Sequence, residues 1–576
     1  MAPASTPHEG HEGHEGHEGH EGHLGHQVQE GLYSPNLHRP GLAKCRHHAS
    51  SEQTPFFELT MLNASSKHQG LRPKAVVIGA GFGGLASAIR LSVKGYDVEV
   101  LEKLDAAGGR AYVHHQDGFT FDAGPTIITA PFLLEELWAL CGKRMADEID
   151  LIKMSPFYRI RFYNGETFDY SDDTEAMCRE IAKFDANDIA GYHRLMQAAD
   201  QCKRLGFEEM GDVAFDSYKD LLKALPSFVK MRAWKSLYSL VAENIRHPLL
   251  RVAFSFHPLL IGGNPYSVTR AYALIHSLEK TWGVHSPMGG TGALVKGLVG
   301  LLAHLKVPIR YNTAVKRICI EDGKACGVAL EPPEWTPGVD SSKRHNAEGE
   351  RIDADIVVCN TDSAWTYKHL IAPEHRKHWS DARIDRGRYS MGLFVWYFGT
   401  NRTYPDVPHH MMVLAERYKT LLHDIFKKHH LSEDFSLYLH RPTATDPSLA
   451  PAGCDTFYVL APVPNLDSRT DWPAISESFR QSIQDHLEAT VLENLGQHII
   501  TSKVTTPLDF QNRLYSFKGA GFGLEPLLTQ SAIFRPHNRS EDIQGLYMVG
   551  ASTHPGAGVP GVLMSAKALE KVIPCA

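Results

Sequence analysis

Apolar residues in this chain gather in short runs that alternate with amphipathic segments, a pattern typical of α/β proteins. Residues 75–78 and Asp97–Leu101 are predicted to be buried strands because apolar and β-branched side chains dominate both runs. Residues 85–93 between them have the spacing of a helix. Residues 354–360 predict a further buried strand, and residues 562–572 predict a last helix.

A glycine-rich turn follows the first of these strands. Gly79, Gly81 and Gly84 form a G-x-G-x-x-G pattern. Such glycines permit a tight turn, a close approach of the backbone to a pyrophosphate, and close packing of helix on strand. Glu102 lies 23 residues after Gly79, at the end of the next strand, where an acid accepts hydrogen bonds from a ribose. The order of these features predicts dinucleotide binding.

The residues after Glu102 favour FAD over NAD. Gly108, Gly109 and Arg110 begin six residues later, and this arrangement resembles the FAD signature of the glutathione-reductase and amine-oxidase superfamily. A guanidinium binds phosphate oxygens in a forked geometry, although a surface ion pair is an alternative role for Arg110. A second glycine-rich stretch, residues 546–561, lies near the other end of the chain. Together the two stretches indicate one FAD held by opposite ends of the polypeptide.

The segments between these motifs predict a discontinuous Rossmann-like FAD-binding domain with an inserted mixed α+β substrate domain. The FAD-binding segments are 73–150, 286–365 and 500–576. The substrate domain comprises residues 151–285, which are rich in helical patterns, and residues 366–499, which contain long strand-like runs.

Composition excludes several classes of protein. The chain has 576 residues with 43% hydrophobic and 22% charged side chains, as expected for a globular protein of two or three domains. A net charge of −7 argues against a nucleic-acid partner. Nine cysteines without a C-x-x-C pair favour free thiols in a reducing compartment and argue against a disulfide framework or a structural zinc site. We recognise no signal peptide and no apolar run of transmembrane length.

Residues 1–72 differ from the rest. A His-Glu-Gly repeat places histidines at every third position from His8 to His26, and such low complexity predicts a disordered extension. An inert polar tail is the favoured interpretation, and metal binding by the spaced imidazoles is the alternative.

Residues 73 to about 572 resemble the bacterial- and fungal-type phytoene desaturases, FAD-dependent enzymes related to amine oxidases. The matching stretches are dispersed along the chain: 253–265, 282–294, 434–440, 457–464, 525–539 and 546–561. One position departs from the pattern, because Ser552 stands where the family's C-terminal motif has glycine.

The resemblance implies stepwise dehydrogenation of phytoene to lycopene, with hydride transfer from saturated C–C bonds to the flavin. Quinone or oxygen is the implied electron acceptor. The residues that it assigns to the cofactor are Gly79, Gly81, Gly84, Glu102, Arg110, Val315, Gly550, Pro555, Gly556, Gly558 and Val559, with Gly289, Gly290 and Thr291 as weaker candidates.

Catalytic side chains are harder to assign. Loss of a hydride leaves an allylic cation that does not require a strong base. His554 and Glu525 are the catalytic candidates, with an ion pair as the alternative role of Glu525; His257 is the third titratable residue in the matching stretches. An apolar tunnel is expected for the substrate, and its candidate lining residues are Phe254, Phe256, Leu259, Leu260, Phe394, Trp396, Tyr397 and Phe398.

Residues 218–240 combine basic and apolar side chains, with Pro226 expected to interrupt the helix. Such a stretch suits an anionic membrane surface, and a solvated basic face is the alternative. We therefore expect a cytoplasmic protein with peripheral, monotopic membrane association. Other functions stay open: a carotenoid isomerase, a ketolase-like oxidase, a saturase, a three-step neurosporene-forming desaturase, or a non-redox prenyl-binding protein of the same fold.

Overall fold

The computed structural model describes residues 72–332 and 349–576. The predicted disordered extension therefore lies outside the described residues, apart from Arg72. In chain order the strands are β1 (Lys74–Ile78), β2 (Asp97–Leu101), β3 (Val113–Gln116), β4 (Phe119–Asp122), β5 (Leu151–Lys153), β6 (Tyr158–Arg161), β7 (Thr167–Tyr170), β8 (His285–Pro287), β9 (Ile309–Arg310), β10 (Val315–Glu321), β11 (Lys324–Leu330), β12 (Arg351–Asp353), β13 (Ile356–Cys359), β14 (Gly392–Thr400), β15 (His410–Val413), β16 (Leu437–His440), β17 (Asp455–Val463), β18 (Ile499–Thr505) and β19 (Leu546–Met548).

The helices cover and connect these strands. In chain order they are α1 (Phe82–Val93), α2 (Phe132–Leu140), α3 (Thr174–Asp185), α4 (Ile189–Lys203), α5 (Tyr218–Met231), α6 (Leu237–Asn244), α7 (Pro248–Ala253), α8 (Leu274–Trp282), α9 (Thr291–His304), α10 (Ser363–Trp365), α11 (Asp381–Arg386), α12 (Tyr418–His423), α13 (Trp472–Thr490), α14 (Leu495–His498), α15 (Pro507–Leu514) and α16 (Val559–Val572).

A parallel sheet in the order β19-β13-β1-β2-β9 forms the nucleotide-binding core. Its strands come from all three predicted FAD-binding segments. Helices α1, α9 and α16 pack together on it through apolar side chains such as Leu85, Leu298 and Leu563. This arrangement confirms the predicted α/β fold with a discontinuous nucleotide-binding part.

A second, mixed sheet in the order β18-β14-β17-β16-β15-β6-β7 draws its strands from both predicted insertions. It shares a large apolar core with α4, α6 and α7. Strand β18 pairs with β14 in this sheet, although the predicted boundary assigned residues 500–576 to the FAD-binding domain. The domain division stays a prediction. Because β18 belongs to the second sheet, we place the start of the last FAD-binding segment after β18 instead of at residue 500.

Helix α5 continues through Pro226, so the predicted interruption there is wrong. Pro226 and the neighbouring Leu222 and Leu225 are exposed, so water can hydrogen-bond the carbonyl group that the proline leaves without a donor. In the two described stretches, no helix combines the length and the apolar character needed to span a bilayer.

Candidate active site

One cavity of about 870 Å³ extends from the β1–α1 turn to helix α5. Most of the predicted cofactor residues line it: Gly79, Gly81, Glu102, Arg110, Val315, Pro555, Gly556, Gly558 and Val559. Gly84 and Gly550 do not belong to its wall. The two glycine-rich stretches therefore meet at one cavity, as the sequence analysis expected.

The β1–α1 turn is a cradle that only small residues can form. Gly79 has a φ of +92°, and a Cβ on Gly84 would lie 1.9 Å from the Gly79 carbonyl oxygen. Gly84 therefore acts through the packing of α1 on β1 rather than through the cavity. No side chain caps the first turn of α1, so its backbone N–H groups are available to a phosphate.

Glu102 follows β2 and lies at the same cavity wall. Its Oε2 accepts a hydrogen bond from the Ala80 amide at 2.6 Å, and its Oε1 accepts one from the Leu104 amide at 2.8 Å. Burial raises the pKa of Glu102. Because each carboxylate oxygen has two lone pairs, both can still accept hydrogen bonds from a ribose.

Arg110 is held by neutral groups. Its Nε donates to the Gly521 carbonyl at 2.9 Å, and its Nη2 donates to the Ser516 hydroxyl at 2.9 Å. Burial lowers the pKa of Arg110, and the nearby Asp362 carboxylate opposes that shift. We find no carboxylate at ion-pair distance from Arg110 among the described residues, which disfavours the surface ion pair considered for it.

Arg535 was missed by the sequence analysis, although it lies in a matching stretch. Its side chain is 1% exposed and lines the cavity. It donates to the carbonyls of Ala551 at 2.7 Å and Thr553 at 3.2 Å. A Cβ on Gly556 would lie 3.7 Å from its guanidinium carbon. No local pattern marks this arginine, because its burial depends on residues distant in sequence.

The two arginines face a shared carboxylate. Burial raises the pKa of Asp362, whereas Arg110 and Arg535 oppose the rise. One Asp362 oxygen caps α10 by accepting from the Ala364 and Trp365 amides. Two guanidinium groups around one carboxylate leave a net positive charge at this part of the wall, which suits an anionic cofactor.

The residues present therefore fit FAD. The uncapped α1 turn and Arg110 suit the pyrophosphate, and Glu102 suits the ribose. Helix α16 begins after Gly558, which has a φ of +95°, and its first turn also lacks a side-chain cap. Gly550, with a φ of +107°, supports this segment from outside the cavity through its amide and Ser565.

The two catalytic candidates differ in position. His554 lines the cavity, and burial lowers its pKa to about 3, so the ring is neutral at physiological pH. Glu525 does not line the cavity; its carboxylate pairs with Arg388 at 2.6 Å and accepts from the Ser267 hydroxyl at 3.0 Å. This geometry favours the ion pair as the role of Glu525.

Three weaker cofactor candidates have other partners. The Thr291 amide donates to Asp122 at 2.8 Å, so Asp122 caps α9 across Gly290. The Gly289 amide donates to Asp446 at 2.7 Å. None of the three weaker candidates lines the cavity, and we do not assign them to the cofactor.

The apolar wall is only partly the one expected. Phe256, Leu259 and Leu260 line the cavity. The other five candidates pack into the apolar cores on the two faces of the second sheet: Phe254, Phe394, Trp396, Tyr397 and Phe398.

The cavity opens beside α5 at an apolar rim. Leu222 is 66% exposed and Trp234 is 63% exposed, and both also line the cavity. The other exposed apolar residues that line it are Leu225, Val229, Leu528 and Phe534. Exposed basic side chains on or next to α5 accompany this rim: Lys219, Lys223, Lys230 and Arg232.

The sequence predicts no metal site. Among the described residues, one group has the composition to hold a cation: His409, His410 and His440, with ring nitrogens within 4.8 Å of one another. Burial lowers the pKa of all three. They already bond to one another, to Thr445 and to Tyr438, and the absence of a metal stays a prediction.

Comparison with known proteins agrees with this geometry. The family of flavin-containing amine oxidoreductases matches residues 82–568. A lycopene-forming phytoene desaturase from Pseudescherichia vulneris is 45% identical over 87% of this chain and 99% of its own length. The chain belongs to the phytoene desaturases of this family. It is an FAD-dependent oxidoreductase, and the resemblance seen in the sequence is confirmed.

Two further proteins are similar to this chain. A neurosporene-forming phytoene desaturase from Cereibacter sphaeroides is 44% identical over 87% of this chain and 94% of its own length. The structure of a putrescine oxidase bound to putrescine has a TM-score of 0.57 at 12% identity, covering 87% of this chain and 98% of that one. The likeness to that oxidase concerns the fold alone.

Proposed function

We propose that this chain desaturates phytoene stepwise to lycopene at the cavity described above. One observation carries the proposal: the wall that suits FAD and the apolar wall around Leu259 belong to a single cavity that opens at α5. A hydrocarbon substrate offers no polar group for recognition, so an apolar channel leading to the flavin is the arrangement that it requires.

Different parts of the cavity wall bind different parts of FAD and the substrate. The α1 turn, Glu102 and Arg110 hold the ADP half of FAD, and Val315 lies beside it. Arg535 and the first turn of α16 supply positive potential beside the flavin ring. FAD, when bound, accepts a hydride from the substrate. The apolar side chains exclude water and align the polyene.

Relatives that form neurosporene are almost as similar as relatives that form lycopene, so the step count needs a direct test. We would express the chain in bacteria that accumulate phytoene and separate the pigments by chromatography. Lycopene is the expected product. Neurosporene would mean that the chain is a phytoene desaturase that carries out three desaturation steps. Unchanged phytoene beside soluble, flavin-containing protein would contradict the proposal and favour an isomerase or a saturase. A colourless protein would favour a prenyl-binding role.

We further propose that α5 docks this protein on the cytoplasmic face of an anionic bilayer, where phytoene and a quinone acceptor dissolve. Two features support this: the exposed apolar rim opens directly into the cavity, and basic residues surround it. Basic amphipathic helices bind anionic interfaces through both contributions. Oxygen is the alternative electron acceptor.

Flotation with vesicles tests the docking. Wild-type holoenzyme is expected to float with vesicles that contain anionic lipid. The double variant Leu222→Glu and Val229→Glu should stay in the soluble fraction, because it places two carboxylates in the apolar rim. Tyr163→Glu is the matched control, since Tyr163 is exposed on the loop after β6 and does not line the cavity. Equal flotation of all three proteins would contradict docking through α5.

A further inference from the structure

Glu279 is an acidic residue of the cavity wall to which neither the sequence nor the family comparison assigns a role. It lies on α8 and is 0% exposed. The carboxylates of the cavity wall are those of Glu102, Asp362 and Glu279. Glu102 accepts hydrogen bonds from two backbone amides, and Asp362 lies near two arginines. Only Glu279 of these three has neither a cation nor a backbone donor among the described residues.

Glu279 has a single hydrogen-bond donor among the described residues, and that donor is a neutral phenol. Tyr158 donates its hydroxyl to Oε1 at 2.6 Å. The Nε2 of His257 lies 3.2 Å from Oε2, but the pair is not aligned as a hydrogen bond, and both atoms lack another partner among the described residues. A buried carboxylate oxygen without a donor is costly in its ionised form. The ionised Glu279 carboxylate therefore has a strong tendency to accept a proton.

The surrounding groups have fixed roles. His276 contacts the Phe254 carbonyl through Nε2 at 2.9 Å, which assigns the proton to Nε2. Its Nδ1 then accepts from the Tyr170 hydroxyl at 2.8 Å. Burial lowers the pKa of His257 and His276 to about 3, and burial raises the pKa of Glu279 to about 7. Tyr158, Tyr170, His257 and His276 are the titratable groups that face Glu279.

We propose that Glu279 is the proton acceptor of the desaturation, with Tyr158 and His257 as its positioning residues. This inference rests on the proposed function. One substrate C–H bond breaks and its electron pair leaves as a hydride to FAD, so an allylic cation remains. The adjacent C–H bond then breaks, its electrons form the new double bond, and its proton joins the Glu279 carboxylate. In the apolar cavity, the Glu279 carboxylate also stabilises the allylic cation that exists before the proton is lost.

The pH dependence of turnover provides the test. The carboxylate must be ionised to accept a proton, so kcat should rise with pH and level off above about 7, the pKa of Glu279. Glu279→Gln keeps the shape of the side chain and removes the base. We expect kcat to fall about 100-fold, with KM near the wild-type value. Absorbance of bound FAD and its anaerobic bleaching by substrate separate a slower reaction from a lost cofactor.

Two tyrosine variants make the test specific. Tyr158→Phe removes the hydrogen bond that stabilises ionised Glu279, so the rise in kcat should move to higher pH by about one unit. Tyr367→Phe is the matched control, because Tyr367 is a buried tyrosine whose hydroxyl donates to Glu541 at 3.1 Å outside the cavity wall. Its profile should stay at the wild-type position.

The outcomes are distinguishable. An unaltered kcat and pH profile in Glu279→Gln, beside active wild type, would overturn the inference and leave the proposed function intact. A shift produced by Glu525→Gln instead would assign the proton to that residue. If wild-type holoenzyme itself forms no desaturated product, the proposed function fails and the inference falls with it.

Discussion

The two ends of the cavity are built by different means. At the cofactor end, glycines and helix N-termini present backbone groups, and two arginines supply charge. At the substrate end, side chains from α5, α8 and the second sheet form a largely apolar wall in which Glu279 is the acidic residue. The first end depends on short segments of consecutive residues, and the second depends on how distant elements pack. The cofactor end therefore tolerates almost no change in backbone geometry. At the substrate end, the properties of the wall depend on which side chains line it.

The largest effect is expected from Gly84→Ala at the cofactor end. The new Cβ would lie 1.9 Å from the Gly79 carbonyl oxygen, so α1 must move away from β1. We expect loss of bound FAD and destabilisation by about 2–4 kcal/mol. Absorbance of the purified protein and its thermal unfolding measure both effects.

Gly300→Ala is the matched control. Gly300 lies in α9 with no atom within 4 Å of an added Cβ. Because alanine favours a helix over glycine by about 1 kcal/mol, this variant should keep FAD and unfold at the same or a higher temperature. If Gly84→Ala also retains FAD, the turn is more adaptable than its geometry indicates.

This contrast explains which parts of the site were predictable. Gly79, Glu102 and Arg110 were assigned from sequence because strand, turn, helix and strand are consecutive there. Arg535 and Glu279 were missed, since nothing local separates a buried charged residue from an exposed one. The predicted lining role of the apolar run 394–398 is wrong for a related reason. Strand β14 is apolar on both faces, so alternation cannot show which face meets a cavity.

The next largest effect is expected on acidification, which acts mainly on buried neutral histidines beside the second sheet. Burial lowers the pKa of His257, His276 and His409 there to about 3, and His554 at the cofactor end adds one histidine with the same low pKa. The unfolded chain binds these protons at the ordinary pKa of about 6.5. Stability from each histidine is therefore complete above pH 6.5 and is lost as the pH falls toward 3. In that pH range each histidine lowers the free energy of unfolding by about 1.4 kcal/mol per pH unit.

Buried carboxyls oppose this loss. The pKa of Glu279 is raised to about 7 and that of Asp122 to about 6, so the folded state binds their protons first and gains stability on acidification. Because the histidines are more numerous, we expect the midpoint of thermal unfolding to fall between pH 6.5 and 5. His276→Gln should make that fall shallower. A midpoint independent of pH would contradict the assignment of neutral buried histidines.

A smaller effect is expected from Arg110→Lys, which keeps the charge and removes the fork. Lysine cannot donate to Gly521, to Ser516 and to a phosphate at once. The dissociation constant of FAD should rise about tenfold to a hundredfold. Equilibrium dialysis measures it. Arg251→Lys is the control, because Arg251 donates to the Ile245 carbonyl away from the cavity wall. If wild type and Arg110→Lys bind FAD with equal affinity, Arg110 has a structural role and does not bind the phosphate.

The smallest effect concerns the charges at the mouth of the cavity. Lys230 is exposed on the proposed docking helix, and a basic residue near an anionic surface contributes about 1 kcal/mol. Lys230→Glu should lower the partition of holoenzyme onto anionic vesicles several-fold, and added salt should weaken wild-type binding. Lys377→Glu changes another exposed lysine, which lies away from α5 and outside the cavity wall, and this variant should bind as wild type does. If both variants lose binding alike, overall charge and not the mouth of the cavity attracts the protein to lipid, and the role of α5 reduces to its apolar side chains.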